Sequence, residues 1–215
     1  MTRLSVNLNK VALLRNARTL GIPSVVRMGE IALDAGAGGL TVHPRPDQRH
    51  IRPHDVHDLA RLAKARNVEY NIEGNPFENL LDYARELRPQ QCTLVPVRPG
   101  EITSQAGWHD GPEADRLPGV IAALKADGIR VSVFVEPTAE GIALAAAVGA
   151  DRVELYTEPY ARAHEHGEAA AAVSFAQFTT SETLAVPGET VSPLSACCTV
   201  TENELDKLPI EALIV

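Results

Sequence analysis

Nowhere in this chain of 215 residues does an apolar run approach the roughly 18 residues that a helix needs to cross a bilayer, so a helical membrane anchor is not expected. The opening stretch, MTRLSVNLNK, has no apolar h-region, and a cytoplasmic protein is expected rather than an exported one. Cysteine is scarce. Cys92, Cys197 and Cys198 are an odd number with one adjacent pair, a poor disulfide framework that suits a reducing compartment. No second thiol pair or nearby histidine completes a zinc site at Cys197 and Cys198, so no metal is expected. Cys92, inside QCTLVP, reads as a small buried hydrophobe. Basic charge is outweighed, with a formal net charge of -8 and a pI near 5.4. That balance argues against a nucleic-acid-binding surface, although a local basic pocket can sit on an acidic protein. Aromatic residues are few, yet 45% of the chain is hydrophobic, enough for one large domain or two small ones.

What is present is alternation. Short β-branched runs (LSVNLN, GLTVHP, EYNIEG, CTLVP, RVSVFVEP and RVELYT) are separated by segments with apolar residues at helical spacing. Those segments include VVRMGEIALDAG, HDVHDLARLAKAR, FENLLDYARELRP, DRLPGVIAALKADG and GIALAAAVGA, several of which end in Gly or Pro. Strand–helix units of this kind predict parallel strands joined by crossover helices. Six units are countable, and the tail has room for parts of two more. Eight closed units make a (β/α)8 TIM barrel, which usually needs about 200–250 residues. An open doubly wound sheet is the rival, but no GxGxxG turn follows the first strand to support a dinucleotide version of it. The expectation is one barrel domain over residues 1–215.

Polar residues recur at the strand ends: Asn7 and Asn9 in the first strand, His43, Glu73, Glu136 and, in the sixth, Glu154, while Pro96 closes the fourth. In a barrel these converge on the C-terminal mouth, where such folds place chemistry. LTVHPRPDQRH is the densest stretch. It sets His43, Arg45, Arg49 and His50 on a proline-stiffened turn directly after a strand, and guanidinium groups bind phosphate through paired hydrogen bonds. A solvated basic loop is the plain alternative. Glu73, between Ile72 and Gly74, has the pattern of a partly buried acid–base carboxylate or of a helix cap or ion-pair partner, and Glu154 shares the ambiguity. A histidine near its ordinary pKa beside such a glutamate would move protons in both directions. Asn7 and Asn9 alternate within a strand and so face the mouth together, with Lys10, Arg15 and Arg18 following. VRPGEITSQAGWHDG is a long polar connection of the kind that forms a mobile lid, from which Thr103 would donate to a ligand.

In these stretches the chain resembles pyridoxine 5'-phosphate synthase, the barrel enzyme that closes the pyridine ring of vitamin B6. The resemblance rests on SVNLNKVALLRNAR, AGAGGLTVHPRPDQRHIR, EYNIEGNPF, TLVPVRPGEITSQAGW, GIRVSVFVEP and GADRVELYTEPYA, in order over about residues 4–172. It implies condensation of 3-amino-2-oxopropyl phosphate with 1-deoxy-D-xylulose 5-phosphate, giving pyridoxine 5'-phosphate, phosphate and water without cofactor or metal. It also implies His43 and Glu73 as acid–base catalysts and Glu154 as a stabiliser of a transition state. Asn7 and Arg18 would hold the amino-ketone phosphate. Arg45, His50 and Thr103 would hold the sugar phosphate, with Asn9 and Lys10 along its carbon chain, although the family commonly has Asp-His at those two positions. Symmetric homo-oligomers, often octamers, are the family habit.

After about Ala172 the likeness fades. The family carries two Gly-His pairs on its last strands, one catalytic and one binding phosphate, whereas no histidine follows His166 here and Gly188 is the one glycine beyond Gly167. Residues 173–215 are thus expected to form one or two atypical or incomplete βα units. A degenerate relative that binds phosphorylated ligands without turnover is the alternative. An aldolase or isomerase that uses a Schiff-base lysine is a weaker third, since of Lys10, Lys64, Lys125 and Lys207 only Lys10 lies near a strand end.

Overall fold

The computed structural model describes residues 3–97 and 106–165. Its strands are β1 (Ser5–Asn7), β2 (Gly39–Val42), β3 (Glu69–Gly74), β4 (Gln91–Leu94), β5 (Arg130–Val135) and β6 (Arg152–Leu155). All neighbours are parallel, and the spatial order is the chain order, β1 to β6. A doubly wound sheet would reverse that order at a switch point. Here the strands instead curl progressively into a half-barrel, which decides between the two architectures. The expected seventh and eighth strands, and the divergent stretch 173–215, lie outside the described residues.

Each helix returns the chain to the start of the next strand. They are α1 (Asn9–Asn16), α2 (Val25–Asp34), α3 (Pro53–Arg66), α4 (Leu80–Leu87), α5 (Leu117–Ala126), α6 (Ala139–Ala147) and α7 (Glu158–Glu165). Local chemistry starts and stops them. Ser24 Oγ accepts the Arg27 N–H at 3.2 Å to begin α2, and Thr138 Oγ1 accepts the Gly141 N–H at 3.1 Å to begin α6. Pro53 opens α3 where its missing N–H costs nothing, and Asn67 closes that helix in the left-handed region at φ 52°. The first unit departs from the sequence expectation. Asn9 does not extend β1 but is the first residue of α1, because the Asn7 side chain accepts the Asn9 N–H at 2.8 Å and turns the chain there.

Period-two alternation divides the sheet into two chemistries. On the convex side Leu40, Val42, Ile72, Leu94, Val131 and Val133 pack without exposure against Val56, Leu59, Leu80 and Leu117 from the helices. Cys92 belongs to this layer, where burial pushes its thiol up to about 12, so it behaves as the small hydrophobe expected of it. The concave side is polar. Ser5 and Thr41 share a hydroxyl bond of 2.8 Å, and Thr93 Oγ1 donates to Asn71 Oδ1 at 3.1 Å. At the N-terminal end Arg130 and Arg152 each donate to Gln91 Oε1 at 3.0 Å and pair with Glu69. Stability therefore resides in the outer, sheet-to-helix layer, and the inner face is free to carry polar chemistry.

Candidate active site

Three strand ends converge on the mouth. Asn7 closes β1, His43 directly follows β2, and Glu73 lies one residue before the end of β3. Asn7 Nδ2 reaches Glu73 Oε2 at 3.5 Å, a long contact, while Asn9 Oδ1 accepts the His43 backbone N–H at 2.8 Å. Asn9 thereby ties the first turn of α1 to the base of the histidine. An aspartate at this position, as the resembled family commonly has, would accept the same N–H.

The two histidines lie edge to face, with ring centroids 6.2 Å apart and planes at 64°. Burial, then the neighbouring His50 and Arg45, depress His43 to about 3. This corrects the expectation of a histidine near its ordinary pKa: the imidazole is neutral throughout the physiological range, keeping one lone pair with a weakened affinity for a proton. His50 is depressed to about 4 by burial and by Arg45, with Arg49 and Lys10 adding to the effect and Asp47 opposing it. Its Nδ1 accepts the Ile51 N–H at 2.9 Å, which leaves the ring proton on Nε2 as a donor. Arg45 is buried, with Nε 3.5 Å from Asp47 Oδ2, and Arg49 hydrogen-bonds the same carboxylate, holding Asp47 down at about 2.

Glu73 is buried, and that burial, with the charge of Glu154 added, raises its carboxyl well above the usual range. Glu154, within β6, is partly accessible yet enclosed by the barrel, which lifts it to about 7. The charge of Glu154 thus disfavours ionisation of Glu73, and both carboxyls hold their protons to higher pH than free ones do. A neutral histidine, a protonated carboxyl and a second carboxyl with pKa near 7 can together accept, donate and return protons.

Lys10 is exposed on α1. Arg18 is exposed past the end of α1 and lines a cavity of about 350 Å³ with Arg15, Asn16, Thr19, Gly21 and Arg52, a lining that includes none of His43, Glu73 or Glu154. Thr103 lies outside the described residues. The lid expected over residues 97–111 is anchored at both stems. Asn75 Nδ2 donates to Val97 O at 3.3 Å, and Trp108 is buried with Nε1 on Leu94 O at 2.9 Å. Gly107 donates to Glu136 Oε1 at 3.0 Å and passes so close to β5 that an added Cβ would lie 2.4 Å from Val135 Cα. Residues 107 and 108 are thus part of the packed body. Sequence reasoning missed Asn79, whose Nδ2 donates to Pro44 O at 2.9 Å, and it missed the support given to the loop by Asn16 and Asp55. No spacing rule marks such long-range clasps. Among the described residues no three His, Cys, Asp or Glu side chains gather as a metal site.

Residues 4–187 match the family model described as "Pyridoxal phosphate biosynthesis protein PdxJ", extending beyond the point near Ala172 where the likeness was expected to fade. The pyridoxine 5'-phosphate synthase of Albidiferax ferrireducens is 55% identical over 168 residues, covering 75% of this chain and 67% of that protein. The enzymes of that name from Xanthomonas campestris pv. campestris and Bacteroides fragilis are 52% and 51% identical, with 68% and 73% of their lengths covered. The chain thus spans about two thirds to three quarters of these relatives. On this match over most of its length, the chain belongs to the PdxJ family of pyridoxal phosphate biosynthesis proteins.

Proposed function

We propose that the protein is a pyridoxine 5'-phosphate synthase, joining 3-amino-2-oxopropyl phosphate to 1-deoxy-D-xylulose 5-phosphate with release of phosphate and water. The observation that carries this reading is the grouping, at one mouth, of a neutral, half-buried His43 with the raised carboxyls of Glu73 and Glu154 beside a cationic loop. Imine formation, elimination and ring closure each need a proton removed at one atom and delivered at another. His43 accepts and Glu73 donates, while Glu154 balances charge developing on the intermediates. Arg45 and the Nε2–H of His50 hold the sugar phosphate, joined by Thr103, with Asn9 and Lys10 along its carbon chain. Asn7 and Arg18 take the amino ketone. The proton bookkeeping closes on side chains, so neither metal nor organic cofactor is invoked.

Seven large apolar side chains are exposed among the described residues, and all lie between Leu4 and Ile31. This clustering supports self-association through the first βα unit. The setting of the reaction is the cytoplasm; among the described residues, no helix is long and apolar enough to cross a membrane.

A second reading is favoured by one observation, the lack of any Gly-His pair in residues 173–215: a relative that binds phosphorylated ligands without turnover. Product assay of the purified chain with both substrates, against His43→Ala, separates the two. Product lost in the variant supports the synthase. Ligand binding without product from the folded wild-type chain supports the second reading.

A further inference from the structure

The loop that carries His50 is held by side chains that stand apart from His43, Glu73 and Glu154 and that also line the cavity beside Arg18. Arg15, in the last turn of α1, is buried and forks onto Asp55, its Nη2 lying 2.8 Å from Oδ2. Asp55 is fixed in turn, because its Oδ2 accepts the Arg52 N–H at 2.8 Å at the start of α3. Arg15 Nη2 also donates to His50 O at 3.2 Å. Next to it, Asn16 Nδ2 donates to Arg49 O at 3.0 Å and to His50 O at 2.8 Å. Asn16 is itself oriented by Arg15, whose Nε and Nη2 donate to Asn16 Oδ1 at 3.1 and 3.0 Å. The donors of Arg15 and Asn16 thus end on each other, on Asp55 or on the two successive carbonyls of the loop, while Asp55 also accepts from Arg52 and lies 3.3 Å from His54 Nε2. A buried ion pair adds little net stability over an apolar contact of the same shape, so its main product is geometry. That geometry is the placement of one peptide segment, on whose far side the His50 ring is locked by the Ile51 N–H with Nε2–H as the remaining donor.

We propose that Arg15 and Asn16, anchored by Asp55, are positioning residues that hold the Arg49–His50 segment and thereby set affinity for the phosphate of the sugar substrate rather than the rate of bond making. The proposal rests on the reading of this loop as the sugar-phosphate site. A donor held in place before the ligand arrives spares the ligand the cost of ordering it, and losing that order weakens binding by about tenfold without touching the reacting atoms.

The test uses the full chain with Asn16→Ala and, separately, Arg15→Lys, which keeps the charge opposite Asp55 but loses the fork. Three readouts are taken on each folded variant: the Kd for inorganic phosphate, the NMR titration of the His50 ring, which is faced by Arg45, Asp47, Arg49 and Lys10, and KM for each substrate with kcat. Expected are a phosphate Kd weaker by about tenfold, a His50 titration moved toward the ordinary histidine value, and a matching rise in KM for the sugar phosphate. The kcat should stay within about threefold, since no reacting group has moved. Unchanged phosphate affinity and His50 titration in both variants would overturn the proposal, as would kcat falling with both KM values unmoved. Absence of phosphate binding by the wild-type chain would remove the anion site and the proposal with it. Absence of product from a wild-type chain that still binds phosphate fails the synthase reading alone, and the first two readouts still decide the role of Arg15 and Asn16.

Discussion

Glu154→Gln should make the protein more stable at alkaline pH while disabling it. In the folded chain the Glu154 carboxyl is raised from 4.5 to about 7 by burial, whereas in the unfolded chain it returns to its ordinary value. A folded-state pKa above the unfolded one means that the native state binds the extra proton between pH 4.5 and 7. Stability is complete below 4.5, declines as pH rises through 7, and levels off above. At about 1.4 kcal/mol per unit the full penalty approaches about 3 kcal/mol, and partial access to solvent reduces it to about 1–3 kcal/mol. Glutamine keeps the shape without the charge. It also removes the repulsion that helps raise Glu73, which adds to the gain in the same direction. Urea unfolding of both proteins at pH 4 and pH 8.5 measures the effect: they should coincide within about 0.5 kcal/mol in acid and differ by about 1–3 kcal/mol in base, with the variant ahead. Product formation should meanwhile fall by about 10²–10³-fold, the usual cost of losing one preorganised electrostatic group. A difference that is the same at both pH values, or a variant no stronger at pH 8.5, would refute the raised carboxyl.

His43 works in the opposite sense. Its folded pKa of about 3 lies below the ordinary 6.5, so the stability it contributes is complete above 6.5 and is lost as pH falls toward 3. His43→Gln should accordingly flatten the acid limb of the urea midpoint between pH 6.5 and 4. Asn9→Leu strands the His43 N–H and should cost about 1–3 kcal/mol along with turnover, while Asn9→Asp keeps an acceptor and should hold both in the same two assays. Gly107→Ala forces a Cβ against the β5 backbone and should cost about 1–3 kcal/mol, seen as a red shift of Trp108 fluorescence at lower urea. Leu14→Glu with Leu20→Glu puts charge on two of the exposed apolar side chains, and on the proposed self-association light scattering should report a smaller species than for the wild type.

The strands and their parallel order were readable because EYNIEG and RVSVFV alternate in period two between turn residues, and helices α2 to α6 because apolar residues recur in them at helical spacing. The first unit misled, since VNLN alternates as a strand would. What ends that strand is a side-chain bond from Asn7 to the Asn9 N–H, and such a competition between side chain and sheet leaves no periodic mark. Candidate groups at the mouth were legible as polar residues at strand ends. Their proton affinities were not, because those depend on which other charges the fold brings near. His43 looked titratable in LTVHP and proved to be held neutral by burial, His50 and Arg45. Trp108 looked like part of a mobile polar loop and proved to be buried, fixed by a carbonyl of β4 that precedes it by fourteen residues.

The strand order has a consequence for how the protein is born. Gly39 finds Ser5 already made, Glu69 finds Gly39, Gln91 finds Asn71, and each new strand adds to an edge that has just left the ribosome. Translation delivers about 5–20 residues per second, slow beside the pairing of neighbouring segments, so the nascent chain can wind its sheet from one side without waiting for its last residues. His43 and Glu73 then meet early, on the first three strands, and Glu154 joins them three strands later. Until β6 docks, Glu73 lacks the neighbouring carboxyl that raises its proton affinity, and the nascent mouth is a half-charged version of the finished one.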